Sequence, residues 1–326
     1  MRAEPAHYEG TDTLTRTDTG TTPRRGRTVR RDIGLTLAIV IVAALGVGFS
    51  LYHRQVVSYL THRKGGPSVT WAYVPHDPPA TVHLAIAGDV GEPGSRIDGT
   101  GAAIARVAEV EPFDALVLLG DNAYPDGDPA KLPRTVFEPF ADVLGAGATL
   151  LAILGNHDVK ADWADAQMQA LGMPARYWSR QFDDVLIVGL DSTDLDPEQL
   201  QFLARALATS TARWKIVAVH HPPYSAGYQG SSIDVRAKLS PVLERYGVQL
   251  VVSGHDHDYQ RSIPIGGVTY VVSGAGARTR RTGDDSFTAT SYSWHHFLDI
   301  AVTGDQLVLR AVGQDGSVFD EVILTG

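Results

Sequence analysis

Short apolar runs alternate with helix-like segments from Thr81 onward, and this alternation limits the possible folds more than any other feature. The runs are rich in Leu and β-branched residues and end at Gly or polar residues, as buried strands do. The predicted strands are residues 82–87, 115–119, 149–154, 185–190, 215–219, 249–253 and 269–273. The predicted helices are residues 101–110, 135–144, 197–209 and 235–246. Strands covered by helices on their outer faces predict a layered α/β domain.

Two local patterns sharpen this assignment. Asp196 is a predicted N-cap, because Pro197 takes the first helical position after it and Glu198 lies in the first turn. Residues 297–324 alternate apolar and polar side chains around two turn sequences, at 303–305 and 314–316. This pattern predicts a C-terminal meander of strands joined by tight turns.

Five short polar motifs follow predicted strands in one order along the chain. They are Gly88-Asp89-Val90-Gly91, Gly120-Asp121-Asn122-Ala123-Tyr124, Gly155-Asn156-His157-Asp158, Val217-Ala218-Val219-His220 and Gly254-His255-Asp256-His257. Open α/β sheets bind ligands at this end of their strands. Taken alone, each Asp or Asn could simply cap a turn, and Tyr124 could be an ordinary packed tyrosine. Five motifs in order, all at strand ends, instead predict one shared site.

The side chains of these motifs predict a centre of two metal ions. The candidate ligands are Asp89, Asp121, Tyr124, Asn156, His220, His255 and His257. This mixture of oxygen donors and imidazoles suits iron, zinc or manganese. Two ions about 3.5–4 Å apart can hold a bridging hydroxide that attacks phosphorus, while both ions stabilise the developing charge. His157 is the expected proton donor to the leaving group.

In this ordered set the chain resembles the calcineurin-like metallophosphoesterases over about residues 81–277. Most of that superfamily has Asp-x-His as its first motif. This chain has Asp89-Val90-Gly91 instead and places Tyr124 three residues after Asp121, which is similar to the purple acid phosphatase branch in its short, tartrate-resistant acid phosphatase form. The resemblance implies a two-sheet β-sandwich flanked by helices, and a tyrosinate that binds ferric iron.

The resemblance also implies how the motif residues divide between the two ions. The Fe(III) site takes Asp89, Asp121, Tyr124 and His257, and the second site, for Fe(II), Zn or Mn, takes Asp121, Asn156, His220 and His255. His157 becomes the acid and a phosphate contact. Further substrate contacts are expected from Asn156, His221 and Arg278. His221 could instead support a ligand, and Arg278 could belong to a solvated charge run.

The expected activity is hydrolysis of small phosphomonoesters. The alternative within the same superfamily is a phosphodiesterase that acts on cyclic nucleotides or nucleotide diesters, because the ligand set does not separate the two reactions. Specificity is expected from loops 224–233 and 275–287. A different class of function, a metal-free surface protein that only binds a partner, predicts eroded ligand positions, whereas all seven carry suitable residues.

The N-terminal part of the chain predicts membrane attachment. Residues 33–51 form a 19-residue stretch without a charge, and as a helix it spans roughly 28 Å, close to the hydrocarbon core. Arginines are denser before it than after it, which predicts a cytoplasmic N-terminus and an extracytoplasmic catalytic domain in the cell membrane. A cleaved signal peptide or a buried core helix would be shorter or amphipathic. The predicted organisation is a disordered tail (1–32), an anchor (33–51), a stalk rich in Pro and Gly (52–79) and a catalytic domain (80–326).

Composition excludes several classes of partner and site. The 326 residues include no cysteine, so disulfides, thiolate metal sites and a cysteine nucleophile are excluded. Of the formal net charge of −9, the first 32 residues contribute +2, and the remainder of the chain carries −11. An acidic domain of this kind argues against nucleic acid as its main partner.

Overall fold

The computed structural model describes residues 73–326. The predicted tail, membrane anchor and most of the predicted stalk lie outside the described residues. Within residues 73–326, no helix has both the length and the apolar character needed to span a membrane.

The strands, in chain order, form two mixed sheets. They are β1 (Val82–Ala87), β2 (Ala115–Leu118), β3 (Thr149–Ala152), β4 (Trp178–Phe182), β5 (Val185–Leu190), β6 (Trp214–Val219), β7 (Leu250–Ser253), β8 (Tyr259–Ser262), β9 (Thr269–Ser273), β10 (Thr288–Tyr292), β11 (His296–Thr303), β12 (Gln306–Gly313) and β13 (Val318–Thr325). The first sheet has the order β13-β12-β11-β1-β2-β3, and the second has the order β10-β8-β9-β7-β6-β5-β4. The two-sheet architecture and the C-terminal meander are therefore confirmed.

Strand direction explains where the motifs meet. In the first sheet β1, β2 and β3 are parallel, and β11 lies antiparallel to β1 with Leu84 opposite Ile300. In the second sheet β5, β6, β7 and β9 are parallel. Because parallel strands end on the same edge, the residues that follow β1, β2, β3, β6 and β7 can converge there.

Three apolar layers hold the domain together. Side chains from both sheets, including Ile86, Val117, Ile216 and Val252, form the central layer between them. On β1 the intervening residues point the opposite way, so that Ala85 and Ala87 pack in the layer beneath the helices of the first sheet. Helices cover the outer face of each sheet, as the alternation of apolar runs predicted.

Five α-helices lie among the described residues: α1 (Ser95–Ala108), α2 (Ala141–Gly145), α3 (Ala164–Leu171), α4 (Pro197–Thr209) and α5 (Ile233–Arg245). Short 3₁₀ turns occupy Pro129–Lys131 and Lys160–Asp162, and a π-helical turn occupies Pro133–Phe137. Helix α4 has the predicted bounds, and the Asp196 side chain accepts a hydrogen bond from the Gln199 amide at 2.7 Å, which confirms the predicted N-cap.

The predicted helix at 135–144 is wrong, because the segment divides into the π-helical turn and α2. Pro139 lies between them, and its missing N–H and fixed φ interrupt a regular helix. Helix α1 begins at Ser95 rather than at residue 101. Its Gly101, which weakens the helix pattern in the sequence, is needed because a Cβ there would overlap the carbonyl oxygen of Pro139.

A buried cluster of polar residues ties the start of the domain to the first sheet. The Asp299 carboxylate, on β11, accepts a hydrogen bond from His83 Nε2 at 2.6 Å and lies 3.3 Å from His76 Nε2. His83 Nδ1 lies 3.1 Å from the carbonyl oxygen of Pro112. Glu111 accepts bonds from the backbone amides of His76 and Ala80. These contacts explain why His76 and His83 are buried.

Candidate metal centre

The candidate ligands lie on loops that follow five strands from both sheets. Asp89, Asp121 and Asn156 come after the parallel strands of the first sheet. His220 comes after β6, and the His255–His257 loop comes after β7, in the second sheet. The structure brings these loops together at one edge of the sandwich, so the predicted convergence of the five motifs is observed.

One group of side chains surrounds the Asp89 carboxylate. The Tyr124 hydroxyl donates to Asp89 Oδ1 at 2.9 Å and lies 3.1 Å from His257 Nε2. His257 Nε2 is itself 3.3 Å from Asp89 Oδ1. The carboxylate is fully buried, and its second oxygen accepts the backbone N–H of His255 at 2.8 Å. Three of the four residues expected at one ion therefore meet within hydrogen-bond distance.

A second group surrounds His220. His220 Nε2 lies 3.1 Å from Asn156 Oδ1 and 3.5 Å from Asp121 Oδ1. The His255 ring lies close by, with its centroid 5.2 Å from that of His220. Asp121 connects the two groups, because ligand atoms of Asp89, Asp121 and His220 all lie within 4.8 Å of one another. This is the position that a carboxylate shared by two ions needs.

The hydrogen bond at the back of His220 orients its ring. Nδ1 lies 2.8 Å from the carbonyl oxygen of Leu119, to which it donates, so Nε2 is turned toward the oxygens of Asn156 and Asp121. A ligating histidine commonly has its other ring nitrogen held by a backbone carbonyl in this way. Burial lowers the pKa of His220, but the charges of Asp121 and Asp89 raise it by more, so its pKa lies above the usual value. The position therefore favours a positive charge beside Nε2.

The backbone at three candidate ligands is strained. The φ angles are 56° at Asp89, 53° at Asp121 and 71° at His255, all in the left-handed region that residues other than Gly seldom adopt. Such conformations cost of the order of 1–3 kcal/mol each and cluster at functional sites. Gly254, before His255, is required by close packing, because a Cβ there would lie 2.5 Å from Asp89 Oδ2.

Burial keeps two histidines neutral and the tyrosine protonated. Burial and the neighbouring His220 lower the pKa of His255 to about 2 and that of His221 to about 4. Burial and the charges of Asp89 and Asp121 raise the pKa of Tyr124 far above its usual value. The imidazoles are therefore ready to bind a cation, whereas the phenol loses its proton only beside a strong positive charge.

The residues present fit a centre of two transition-metal ions. The Nε2 atoms of His220 and His257 both face carboxylate oxygens that would otherwise have to share a proton with them. Carboxylate, phenol, amide and imidazole donors together suit iron, zinc and manganese.

His157 lies at the mouth of the site. Its Nδ1 is 2.6 Å from the carbonyl oxygen of Pro125, and its Nε2 is 4.0 Å from Asp121 Oδ2. Its ring packs edge-on against Tyr124, with centroids 4.7 Å apart. The side chain is partly exposed, so it can contact a substrate that enters the site. The Lys160 ammonium, 3.0 Å from His157 Nδ1, adds a positive charge to this wall.

The two other expected substrate contacts have different surroundings. His221 is held by Ser192, whose hydroxyl oxygen lies 2.8 Å from His221 Nδ1 and accepts the His221 backbone N–H at 2.9 Å. Arg278 donates from Nε to Glu92 at 2.6 Å, and its guanidinium carbon lies 5.8 Å from the centre of the Tyr124 ring. Arg278 is therefore beside the site but already paired.

Two buried carboxylates that sequence reasoning did not assign support the loops. Asp158 accepts hydrogen bonds from the backbone amides of Asn122, Ala123 and Gly155, at 2.8–3.2 Å. Asp256 accepts bonds from the amides of Gln229 and Gly230. Both belong to the five polar motifs, so their positions in the sequence indicate a role at the site, but only the fold shows which amides they bind.

The sequence of this chain is similar to a family model and to two acid phosphatases. A family model described as calcineurin-like phosphoesterase matches residues 82–259. Purple acid phosphatase 3 of Arabidopsis thaliana is 25% identical over 283 residues, which cover 74% of this chain and 76% of that protein. Tartrate-resistant acid phosphatase type 5 of Rattus norvegicus is 28% identical over 208 residues, which cover 53% of this chain and 64% of that protein.

Two further similar proteins are a phosphodiesterase and a protein of known structure. A cAMP/cGMP dual specificity phosphodiesterase of Mycobacterium tuberculosis is 32% identical over 180 residues, which cover 51% of this chain and 55% of that protein. The structure of purple acid phosphatase PPD1 from yellow lupin seeds superposes with a TM-score of 0.63 at 17% identity, and the match covers 75% of this chain and 53% of that one. At this identity the superposition supports the fold alone.

Proposed function

The chain belongs to the calcineurin-like phosphoesterase family and is a phosphoric ester hydrolase, and we propose that it hydrolyses small phosphomonoesters at a centre of two metal ions. The observation that carries this proposal is the convergence of all seven candidate ligands on one edge of the sandwich, with Asp121 between the two groups. The purple acid phosphatase relatives support the monoesterase reaction in particular.

The proposed ligands divide into two sets that share Asp121. Asp89, Asp121, Tyr124 and His257 hold one ion, and Asp121, Asn156, His220 and His255 hold the other. When bound, the ions supply an activated water and stabilise charge on the phosphoryl oxygens. The hydrogen bonds from His220 to Leu119 and from the His255 amide to Asp89 keep these side chains in place before substrate arrives.

His157 is the proposed proton donor to the leaving oxygen. The Pro125 carbonyl accepts from Nδ1, so Nε2 is the atom that faces the site. Asn156 and His221 lie on the neighbouring wall and are proposed as contacts to the substrate. Arg278 is proposed as a weaker contact, because binding phosphate there means competing with Glu92 for the guanidinium.

Tyr124 supports the assignment of Fe(III) to the first ion, with Fe(II), Zn or Mn at the second. Its hydroxyl already lies between Asp89 and His257, where burial and the carboxylates oppose ionisation. A trivalent ion is the kind of charge that would overcome this opposition. A ferric tyrosinate absorbs visible light, so colour reports directly on this contact.

The test is to purify the full-length chain without chelators, measure its metals and record its visible spectrum. We expect iron with a second metal, and a broad visible absorption that disappears in Tyr124→Phe. Tyr228→Phe, at a tyrosine that is 43% exposed, is the matched control and should keep the colour. A colourless protein with two equivalents of zinc or manganese would refute the tyrosinate while leaving the metallophosphoesterase assignment intact.

The second candidate function is a phosphodiesterase, which the cAMP/cGMP phosphodiesterase relative favours. Rates on p-nitrophenyl phosphate and bis(p-nitrophenyl) phosphate separate the two reactions. The monoesterase proposal predicts a higher kcat/KM for the monoester, and the reverse ratio would replace it with the diesterase. Bound metal with no hydrolysis of either compound would contradict both.

We also propose that residues 33–51 anchor the protein in the cell membrane with its catalytic domain outside. The natural absence of cysteine allows a direct test by single-cysteine labelling. Val110 is 54% exposed, so Val110→Cys should react with a membrane-impermeant maleimide in intact cells, whereas Thr13→Cys in the N-terminal tail should not. Labelling of Thr13→Cys alone would show that the orientation is the opposite of the one proposed.

A further inference from the structure

We propose that a cavity beside Asn156 and His221 is a leaving-group subsite that selects phosphomonoesters of polyhydroxylated alcohols, such as sugar phosphates. This inference rests on the proposed function and adds a substrate class to it. The cavity has a volume of about 390 Å³, which is within the usual range for small-molecule sites.

The cavity opens directly from the candidate metal centre. Asn156 and His221 form its inner end, and Asn156 Oδ1 is also 3.1 Å from His220 Nε2. Two segments from different parts of the chain form its sides, namely residues 192–195 after β5 and residues 232–238 at the start of α5. A phosphoryl group held at the metal centre can therefore extend its alcohol part into this space.

The inner end of the cavity is fixed in place. The Ser192 hydroxyl contacts Nδ1 of His221 at 2.8 Å and accepts the His221 backbone N–H at 2.9 Å. The opposite edge of the ring, which carries Nε2, therefore points away from Ser192. The loop that carries Ser192 is itself held by Asp191, which accepts bonds from the amide and hydroxyl of Thr193. A rigid wall of this kind can discriminate between alcohols.

The sides of the cavity are polar and carry more acid than base. Asp194 and Asp234 line it, and among residues 73–326 neither carboxylate has an ion-pair or side-chain hydrogen-bond partner. Lys238 also lines it, and its Nζ donates to the carbonyl oxygen of Leu195 at 2.9 Å. The only large apolar side chains in the lining are Leu195 and Val235.

This set of groups favours one class of alcohol. Unpaired carboxylates accept hydrogen bonds from hydroxyl groups, and such charge-assisted bonds are among the stronger ones. Two carboxylates against one ammonium repel a leaving group that carries a second phosphate. Lys238 opposes an ammonium group in the same space. A neutral alcohol with several hydroxyls therefore fits best, and an aryl group gains little from so few apolar contacts.

The test compares the metal-loaded full-length protein with Asp194→Asn and Asp234→Asn on glucose 6-phosphate, p-nitrophenyl phosphate, phosphoethanolamine and pyrophosphate. We expect each substitution to lower kcat/KM for glucose 6-phosphate about tenfold, mainly through KM, because a charged acceptor is lost. The value for p-nitrophenyl phosphate should stay within about twofold, because its ring makes no such bonds. Asp142→Asn, the same change at an exposed position on α2, is the control.

Binding gives a second readout that does not depend on turnover. Isothermal titration with glucose 6-sulfate, which the enzyme cannot hydrolyse as a phosphoester, should show weaker binding to both cavity variants than to Asp142→Asn. The subsite would be refuted if the ratio of kcat/KM for glucose 6-phosphate to kcat/KM for p-nitrophenyl phosphate were the same in all variants. A preference for pyrophosphate or phosphoethanolamine would also refute it, and both results would leave the proposed monoesterase activity in place. Absence of hydrolysis of every monoester by protein with bound metal would instead refute the proposed function.

Discussion

Asp158 shows how much of the site depends on a residue that does not face it. Its carboxylate is fully buried and collects three backbone amides from the loops that carry Asp121 and Asn156. The side-chain amides of Asn122 and Gln167 donate to it as well. Because those loops come from different strands, one carboxylate fixes the distance between ligands of the second ion.

Asp158→Asn should therefore weaken both folding and metal binding. The new NH₂ group would face N–H donors, so at least one buried amide would lose its acceptor, at a cost of about 2–4 kcal/mol in the free energy of unfolding. Metal affinity should fall about tenfold or more, because supporting residues orient the ligands. Urea unfolding and metal titration measure the two effects. The exposed Asp142→Asn should change neither, and equal behaviour of the two variants would contradict this role.

The His83–Asp299 pair predicts a pH-dependent contribution to stability. Burial raises the pKa of Asp299, but its bonds to His76 and His83 lower it by more, to about 2. Burial lowers the pKa of His83, but Asp299 raises it by more, so it lies above the usual value. The contribution of Asp299 is present above its unfolded pKa of about 4 and is lost as pH falls toward 2. The contribution of His83 is complete below about pH 6.5 and is lost as pH rises through its folded pKa.

His83→Gln should thus lower the free energy of unfolding more at pH 5.5 than at pH 9, as measured by urea unfolding at the two pH values. The matched control is His295→Gln. Burial lowers the pKa of His295, so its charged form opposes folding and the substitution should have the opposite pH trend. A pH-independent effect of His83→Gln would show that the pair contributes only by packing.

At the scale of single residues, the sequence predicts which side chains are candidate metal ligands, but it does not predict the contacts that hold those side chains in position. The sequence predicts Asp89, Asp121 and His220 as ligands because each follows an apolar run, and strand direction places the three side chains together. The left-handed φ of Asp89 and Asp121 has no counterpart in the sequence, because their loops are held by contacts to distant residues. Ser192 follows a strand in the same way, but only its contact with His221 shows its importance.

Helix α4 tests how far local sequence determines an element. Asp196 caps it through the Gln199 amide, whereas Ser232, the N-cap of α5, makes no side-chain capping bond. Asp196→Ala should lower the free energy of unfolding by about 1 kcal/mol. Ser232→Ala should change it by less than about 0.5 kcal/mol. Urea unfolding of both variants provides the comparison, and equal costs would contradict the capping assignment.

The elements that sequence reasoning missed are short or polar. Strands β4 and β10 lie at the two edges of the second sheet, and β4 exposes three consecutive residues, so neither has a continuous apolar run. Strand β8 lies inside the sheet, but its Gln260 and Arg261 are satisfied by bonds to Asp258 and Asp320. These pairings depend on the tertiary fold, so a local sequence pattern does not predict them.

For the whole molecule, the position of the metal centre predicts a link between metal binding and stability. Its proposed ligands come from both sheets, so bound ions join the two layers at one edge. Free metal at about 100 times its Kd should stabilise the folded chain by about 2.7 kcal/mol. Removal of metal should lower Tm by roughly 5–10 °C, measured by calorimetry with and without chelator. Asp121→Asn should be insensitive to chelator, and a chelator effect of equal size in that variant would point to another site.

The order of the strands also determines the order in which the two sheets can be completed during synthesis. All strands of the second sheet lie between β3 and β11 in the chain, whereas β1 pairs with β11, which begins at His296. While the protein is being translated, His220, His255 and His257 therefore leave the ribosome before β1 acquires its antiparallel neighbour. The loop that carries Asp89 follows β1 directly, and its backbone amides donate to Gly120 and Asp121, which precede β11 in the chain. The second sheet can thus be completed before the first, and the C-terminal meander that completes the first sheet contributes no candidate ligand to the metal centre.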